Sequence, residues 1–203
     1  MEKIDYKKQL KYLYVPSYKK VEMVEVPKMN FLMVDGKGDP NTAQSFSDAI
    51  EALYSVSYTL KFMVKKGESG VDYGVLPLEA LWWSDDMSAF STGNKDAWKW
   101  TLMIMQPEFI TLKMINEATE EVERKKKPVA LALVRFEPIK EGKAAQILHI
   151  GPFSEEGSTI EKVHVFINDN GSHRVGKHHE IYLSDIRRTA PEKWKTIVRQ
   201  PMS

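Results

Sequence analysis

Apolar positions in this chain recur first at strand spacing and then at helical spacing, and the alternation predicts an order of elements. Residues 21–27 and 29–34 are rich in β-formers and predict two strand segments separated by Pro27, ending in a turn at Asp35-Gly36-Lys37-Gly38-Asp39-Pro40. Phe46, Ile50, Leu53, Leu60 and Val64 then fall close to helical spacing, behind an Asn41/Gln44 capping box and ahead of a Lys65-Lys66-Gly67 stop. Residues 72–83 carry β-formers around Pro77. In 97–106, Trp98, Trp100, Leu102 and Ile104 alternate with Lys99, Thr101, Met103 and Met105, which predicts one core face; 84–96 read as a polar loop. Pro107 at a first helical position opens a second helix with Leu112, Ile115 and Val122 on its stripe. Glu120/Arg124, Glu121/Lys125 and Glu123/Lys127 are its outward pairs, and Pro128 is its end.

The same order then restarts. Residues 129–137 and 144–150 predict strands, and Gly151-Pro152 a turn. A Ser158/Glu161 capping box opens a helix carrying Ile160, Val163 and Ile167, which closes near Asn170-Gly171. Residues 178–185 predict the next strand and 193–199 a short last one. Gly36 and Gly151 occupy equivalent places after a strand, and Glu79 falls opposite Glu180. The pattern predicts an α+β chain of two related modules, 21–106 and 128–203. A connecting helix at about 107–127 joins them, and residues 1–20 form a tyrosine- and lysine-rich strap.

Composition narrows the setting. The 203 residues are 42% hydrophobic, enough for a core, and 29 basic against 28 acidic residues give a net charge of +1. No overall field favours a nucleic acid or an anionic membrane. The absence of cysteine excludes disulfides, thiol nucleophiles and thiolate metal sites. No apolar run reaches the ~18 residues of a spanning helix and no signal peptide opens the chain, so a cytoplasmic location is expected.

Four segments together resemble one family: Val26-Pro27 followed by a strand and Gly36, Pro77-Leu78-Glu79-Ala80-Leu81-Trp82-Trp83, His149-Ile150-Gly151-Pro152-Phe153, and His179-Glu180-Ile181-Tyr182-Leu183. Their order and spacing are similar to those of gyrase-inhibitor-like (GyrI-like) small-molecule-binding proteins, over residues 21–203. The resemblance implies two pseudo-twofold-related strand-helix-strand-strand (SHS2) modules with antiparallel sheet and a central ligand cleft. It implies a hydrophobic, aromatic, often cationic ligand and a glutamate, here Glu180, that meets it. With only about 20 residues before the first strand, a fused DNA-binding module and direct DNA binding are not expected. The long Trp-containing middle segment and the Glu-Ile-Tyr-Leu-Ser-Asp strand further resemble a subfamily of hydrolases that open the cyclopropane ring of DNA-alkylating natural products.

Residue chemistry is compatible with both uses. Glu79, Trp82, Trp83, Trp98, Trp100, Phe109, Glu180 and Tyr182 are the candidate ligand-binding residues, since aromatic faces hold planar cations at about 0.5–2 kcal/mol per good contact. Strand alternation places Glu180 with Tyr182 and Ser184 on one face, and Glu79 with Leu81 and Trp83 on one face of its own strand. If the modules face each other, the two glutamates share a cleft, and one carboxyl is pushed towards neutral pH. In a hydrolase, Glu180 would activate water, while Tyr73 or Tyr182 steadies the negative charge that develops, with no metal or cofactor.

Plainer readings accompany each of these. Tryptophans at strand spacing commonly pack, and Trp194 is the first candidate for a purely structural role. Glu79 alone reads as a solvent-facing or salt-bridged residue at a strand edge. His164, His173, His178 and His179 offer metal-ligand atoms, but neighbours on a strand point to opposite faces, and no metal is expected. Gly36-Lys37-Gly38 lacks the rest of a phosphate loop. Binding without turnover and cofactor-free hydrolysis are the two functions left, with oligomeric state open.

Overall fold

The computed structural model describes residues 3–203, so Met1 and Glu2 of the expected strap lie outside the described residues. In chain order the elements are β1 (Lys3–Ile4), α1 (Tyr6–Gln9), α2 (Lys11–Tyr14), β2 (Glu22–Lys37), α3 (Gln44–Lys66), β3 (Asp72–Tyr73), β4 (Leu78–Trp83), α4 (Ser88–Ser91), β5 (Lys99–Gln106), α5 (Leu112–Lys125), β6 (Arg135–Ile150), α6 (Gly157–Asp169), β7 (His178–Tyr182) and β8 (Lys195–Pro201). The fold is α+β with antiparallel sheet. Two compact units divide the chain. One takes the described residues up to Tyr6, Met29–Leu76 and Trp82–Ile139, and the other takes Lys7–Lys28, Pro77–Leu81 and Lys140–Ser203.

In the first unit, Asn30–Lys37 of β2 pairs antiparallel with β5. Helix α3 buries Ala49, Ala52, Leu53, Val56, Leu60 and Val64, one stripe at helical spacing. Gly67 ends it, and its N–H donates to the Met63 carbonyl. Strand β5 differs from its sequence pattern. Thr101, Met103 and Met105 are buried as fully as Trp100, Leu102 and Ile104, because the strand is covered on both faces. The polar members are paired: the Thr101 hydroxyl donates to Asp35 Oδ1 at 2.6 Å and Gln106 Nε2 to the Ser57 hydroxyl at 3.2 Å. Gly36 belongs to β2 rather than to a turn. A Cβ there would lie 2.0 Å from the Trp100 ring, so the glycine is the slot that admits the indole.

Several expected boundaries move. Strand β2 runs unbroken through Pro27, whereas most of the strand expected at 129–137 is absent: Leu131–Leu133 form a 3₁₀ turn, and β6 starts at Arg135 and continues through the expected 144–150 strand. Proline removes one donor without ending an extended chain. Helix α5 starts at Leu112, not Pro107, where the Thr111 hydroxyl accepts the Met114 N–H. Neither expected capping box forms: Asn41 donates to Asp39 in a local turn, and the Ser158 hydroxyl donates to the Glu155 carbonyl. Glu121 pairs with Lys125 as expected, whereas Arg124 turns to the Glu120 carbonyl. The polar 84–96 segment contains α4, opened by Asp86 accepting the Ser88 N–H.

In the second unit, β8 pairs antiparallel with β6 on one side and β7 on the other. Val163 and Ile167 of α6 pack on Ala145, Ile147, Val198 and Met202. The strap is tied down where Arg199 Nη2 donates to the Leu13 carbonyl (2.9 Å) and Gln146 Nε2 to the Tyr12 carbonyl (2.7 Å). Its own Leu13 and Tyr14 side chains are buried. Among the described residues, no helix is long and apolar enough to cross a membrane.

Candidate functional site

Five residues of β7 sort a set of polar groups onto two faces. Strand alternation sends His178, Glu180 and Tyr182 one way, and His179 with Ile181 the other. On the first face, Glu180 accepts at both oxygens: His178 Nε2 lies 3.1 Å from Oε1, and the Tyr182 hydroxyl donates to Oε2 at 2.7 Å. Phe153 meets the Tyr182 ring edge-on at 5.7 Å and the Trp194 ring at 5.0 Å, so an aromatic wall stands beside the carboxylate. Trp194 is anchored by its own Nε1–H to the Thr189 carbonyl at 2.8 Å.

The second carboxyl of this face is Glu156, at the N-cap of α6 and only 4% exposed. A helix N-terminus ordinarily favours a carboxylate. Here burial and then the charge of Glu180 prevail, and they push the Glu156 carboxyl up to about 9, with the neighbouring Thr196 hydroxyl only partly opposing them. Glu156 Oε1 and Thr196 Oγ1 are both buried without a well-formed hydrogen bond. A carboxyl pushed towards its protonated form therefore sits beside one with two hydrogen-bond partners, the kind of difference in environment that lets two like groups serve as acid and base.

The opposite face of β7 is of another kind. His179, 1% exposed, bridges Glu79 Oε2 through Nε2 and Glu141 Oε1 through Nδ1, both at 2.9 Å. Glu79 also accepts from the Tyr14 hydroxyl at 2.8 Å, while Arg199 reaches Glu141 at 3.2 Å and Gln146 at 3.0 Å. Burial opposes charge on His179, but Glu141 and Glu79 outweigh it and lift the ring to about 9. Burial likewise opposes charge on Glu141, and His179 with Arg199 hold it down at about 2. The sharing expected of Glu79 with Glu180 is thus replaced: Glu79 belongs to this paired network, and the carboxyl beside Glu180 is Glu156.

The remaining candidates lie in the first unit. Trp82 stacks on Phe46 at 5.9 Å and meets Trp98 edge-on at 5.8 Å, with Phe90 against Trp98 at 4.8 Å. Trp100 is wholly enclosed, 5.0 Å from Phe46 and under Gly36, as a core side chain would be. Trp83 is half-buried. Tyr73 packs against Phe109 at 5.7 Å, and its hydroxyl is buried without a partner; burial, then Tyr6, pushes its ionisation well up. The histidines do not converge: His164 contacts Arg174, His178 contacts Glu180, His179 bridges Glu79 and Glu141, and His173 is exposed.

Sequence reasoning missed Glu156 because Glu155-Glu156-Gly157 reads as the polar entry to a helix. Two adjacent acids there do not reveal which one turns inward. The partners of His179 were hidden for a different reason: they stand 100 and 38 residues away in the chain.

A buried, incompletely paired carboxyl beside an aromatic wall is the build of a small-molecule-binding domain. A family model described as GyrI-like small molecule binding domain matches residues 19–201, and the chain belongs to that family. Among solved structures, an uncharacterized conserved protein from Listeria innocua is 44% identical, with a TM-score of 0.91, over 98% of this chain and 100% of its own. Two Listeria innocua structures named as hydrolases are also similar: 43% identity and TM-score 0.89 over 100% of each chain, and 42% and 0.86 over 98% of this chain and 100% of that one. Comparison with curated proteins gave no match.

Proposed function

We propose that this protein is a cofactor-free hydrolase of hydrophobic, aromatic small molecules, with Glu180 as general base and Glu156 as general acid. The observation that carries the reading is the Glu156–Glu180 pair, with Glu156 buried and its Oε1 without a hydrogen bond, and Glu180 half-buried and held by His178 and Tyr182. The similarity to two structures named as hydrolases supports it. The substrate class proposed is a strained, cyclopropane-bearing electrophile conjugated to a carbonyl. Glu180 takes a proton from water as its oxygen bonds to the ring carbon, and the ring C–C bond breaks. The electron pair moves to the conjugated carbonyl oxygen, which Glu156 protonates. The net change is addition of one water. A proton passed from Glu180 to Glu156 resets the pair, and ring strain supplies much of the driving force. Phe153, Tyr182 and Trp194 orient the aromatic body; Tyr182 also fixes Glu180.

The test is incubation with a cyclopropanoid alkylator, followed by mass spectrometry. Multiple turnovers to the water adduct above the no-protein control support hydrolysis. Tight retention of unchanged compound assigns the site to binding alone, and the absence of both turnover and retention overturns the reading of this face as the site for such compounds.

A further inference from the structure

Behind the strand that carries Glu180 lies a set of charges that the proposed reaction does not use. Glu79 is 0% exposed, and Arg199 and His179 are each 1% exposed. Both ring nitrogens of His179 face carboxylate oxygens at 2.9 Å, so both must donate and the ring is an imidazolium. Glu79 and Glu141 then balance His179 and Arg199, and the group is neutral as a whole. The tethers lead to four separate segments: Glu79 on β4, Glu141 and Gln146 on β6, Arg199 on β8, and Tyr14 with the Leu13 carbonyl on the strap. Burying so many charges is a costly way to fill a core, since apolar side chains of similar volume serve stability as well. What such a network supplies in return is a fixed position.

We infer that the Tyr14–Glu79–His179–Glu141–Arg199 network is a positioning device for the reaction, pinning β7 from behind so that Glu180 is held against Glu156. His179 is adjacent to Glu180 in sequence and faces away from it, so any shift of the imidazolium displaces the base by a comparable distance. A misplacement of about 1 Å costs on the order of 100-fold in rate. The network acts through the strand and touches no substrate. The inference rests on the acid–base reading of Glu156 and Glu180, but its test includes a signal that does not require turnover.

That signal is the infrared band of the protonated Glu156 carboxyl, identified by its loss in Glu156→Gln and titrated against pH. Glu180 is the charged group that raises this titration, with Thr196 opposing it, and His178 and Tyr182 complete the face. In His179→Gln the band is expected to titrate lower by about one unit or more, because Glu180 no longer sits against Glu156. On a cyclopropanoid substrate, kcat is expected to fall about 10- to 100-fold with KM changed less than about 3-fold. Tyr14→Phe keeps every charge and serves if the first variant does not fold; it is expected to shift the band in the same direction by less. A destabilised variant whose Glu156 band and kcat match the parent overturns the inference and leaves the network structural. If the parent protein binds the compound without turning it over, the hydrolase reading fails while the band still tests the positioning.

Discussion

Glu79 and Glu156 are both buried carboxyls of the same unit, 0% and 4% exposed, yet they are opposite cases. Glu79 accepts from Tyr14 and His179 and is part of a balanced set of charges. Glu156 meets another acid and a threonine, and one of its oxygens has no hydrogen bond. The lesson is that burial of an acid does not by itself mark a site. An acid placed where the protein alone does not satisfy it costs stability in the folded chain, and that cost is a reason to look for work done there.

The largest test of this contrast is catalytic. Glu180→Gln is expected to lower turnover of a cyclopropanoid substrate by about 100- to 10,000-fold, with affinity by titration calorimetry held within a few-fold. Unchanged turnover would remove Glu180 as the base. Next in size, Glu79→Ala leaves His179 and Arg199 against a single carboxylate, and is expected to cost about 3–5 kcal/mol in urea unfolding. Glu156→Gln should behave in the opposite way and stabilise the protein at pH 7 by roughly 3 kcal/mol. The Glu156 carboxyl is raised from 4.5 to about 9 in the folded chain, so its cost is absent below 4.5 and grows as pH rises towards 9. The gain from Glu156→Gln is therefore expected to vanish below about pH 4.5. The smallest effect concerns pH alone. His179 is raised from 6.5 to about 9, so its stabilisation is full below 6.5 and is lost as pH rises through 9. In Glu156→Gln, a decline in melting temperature between those two values should remain and should be His179's. A flat profile there would break the assignment of a charged imidazolium.

Much of this architecture was legible from periodicity. The stripe of α3 and its Gly67 stop, the existence of strand β5, and the face shared by Glu180 and Tyr182 all follow from side-chain spacing, which is a local property, whereas the burial of both faces of β5 does not. What was not legible depended on distant partners. Pro27 and residues 138–143 lay between expected strands, yet β2 and β6 continue through them, and Glu141 is the residue that turns in to meet His179. Gly36 read as a turn glycine because its reason, the Trp100 ring, lies across the strand pair. The candidate site divided in the same way. The family resemblance pointed to Glu180, whereas Glu156 gained its meaning from a neighbour 24 positions further along the chain, a distance no periodicity reports.

The contact between Arg199 and the Leu13 carbonyl spans 186 residues. During synthesis, the strap emerges 186 residues before its clamp, so the second unit cannot be completed until Arg199 has been made. The first unit draws all but its N-terminal few residues from Met29–Ile139 and is under no such constraint. Closure of the strap is accordingly a late, non-local event, of the kind that sets the pace of folding. Until Arg199 arrives, Glu141 lacks one of its cations and Leu13 its donor. Whatever keeps a half-made chain from aggregating must act over that interval, and chains truncated just short of Arg199 are where its protection would be needed most.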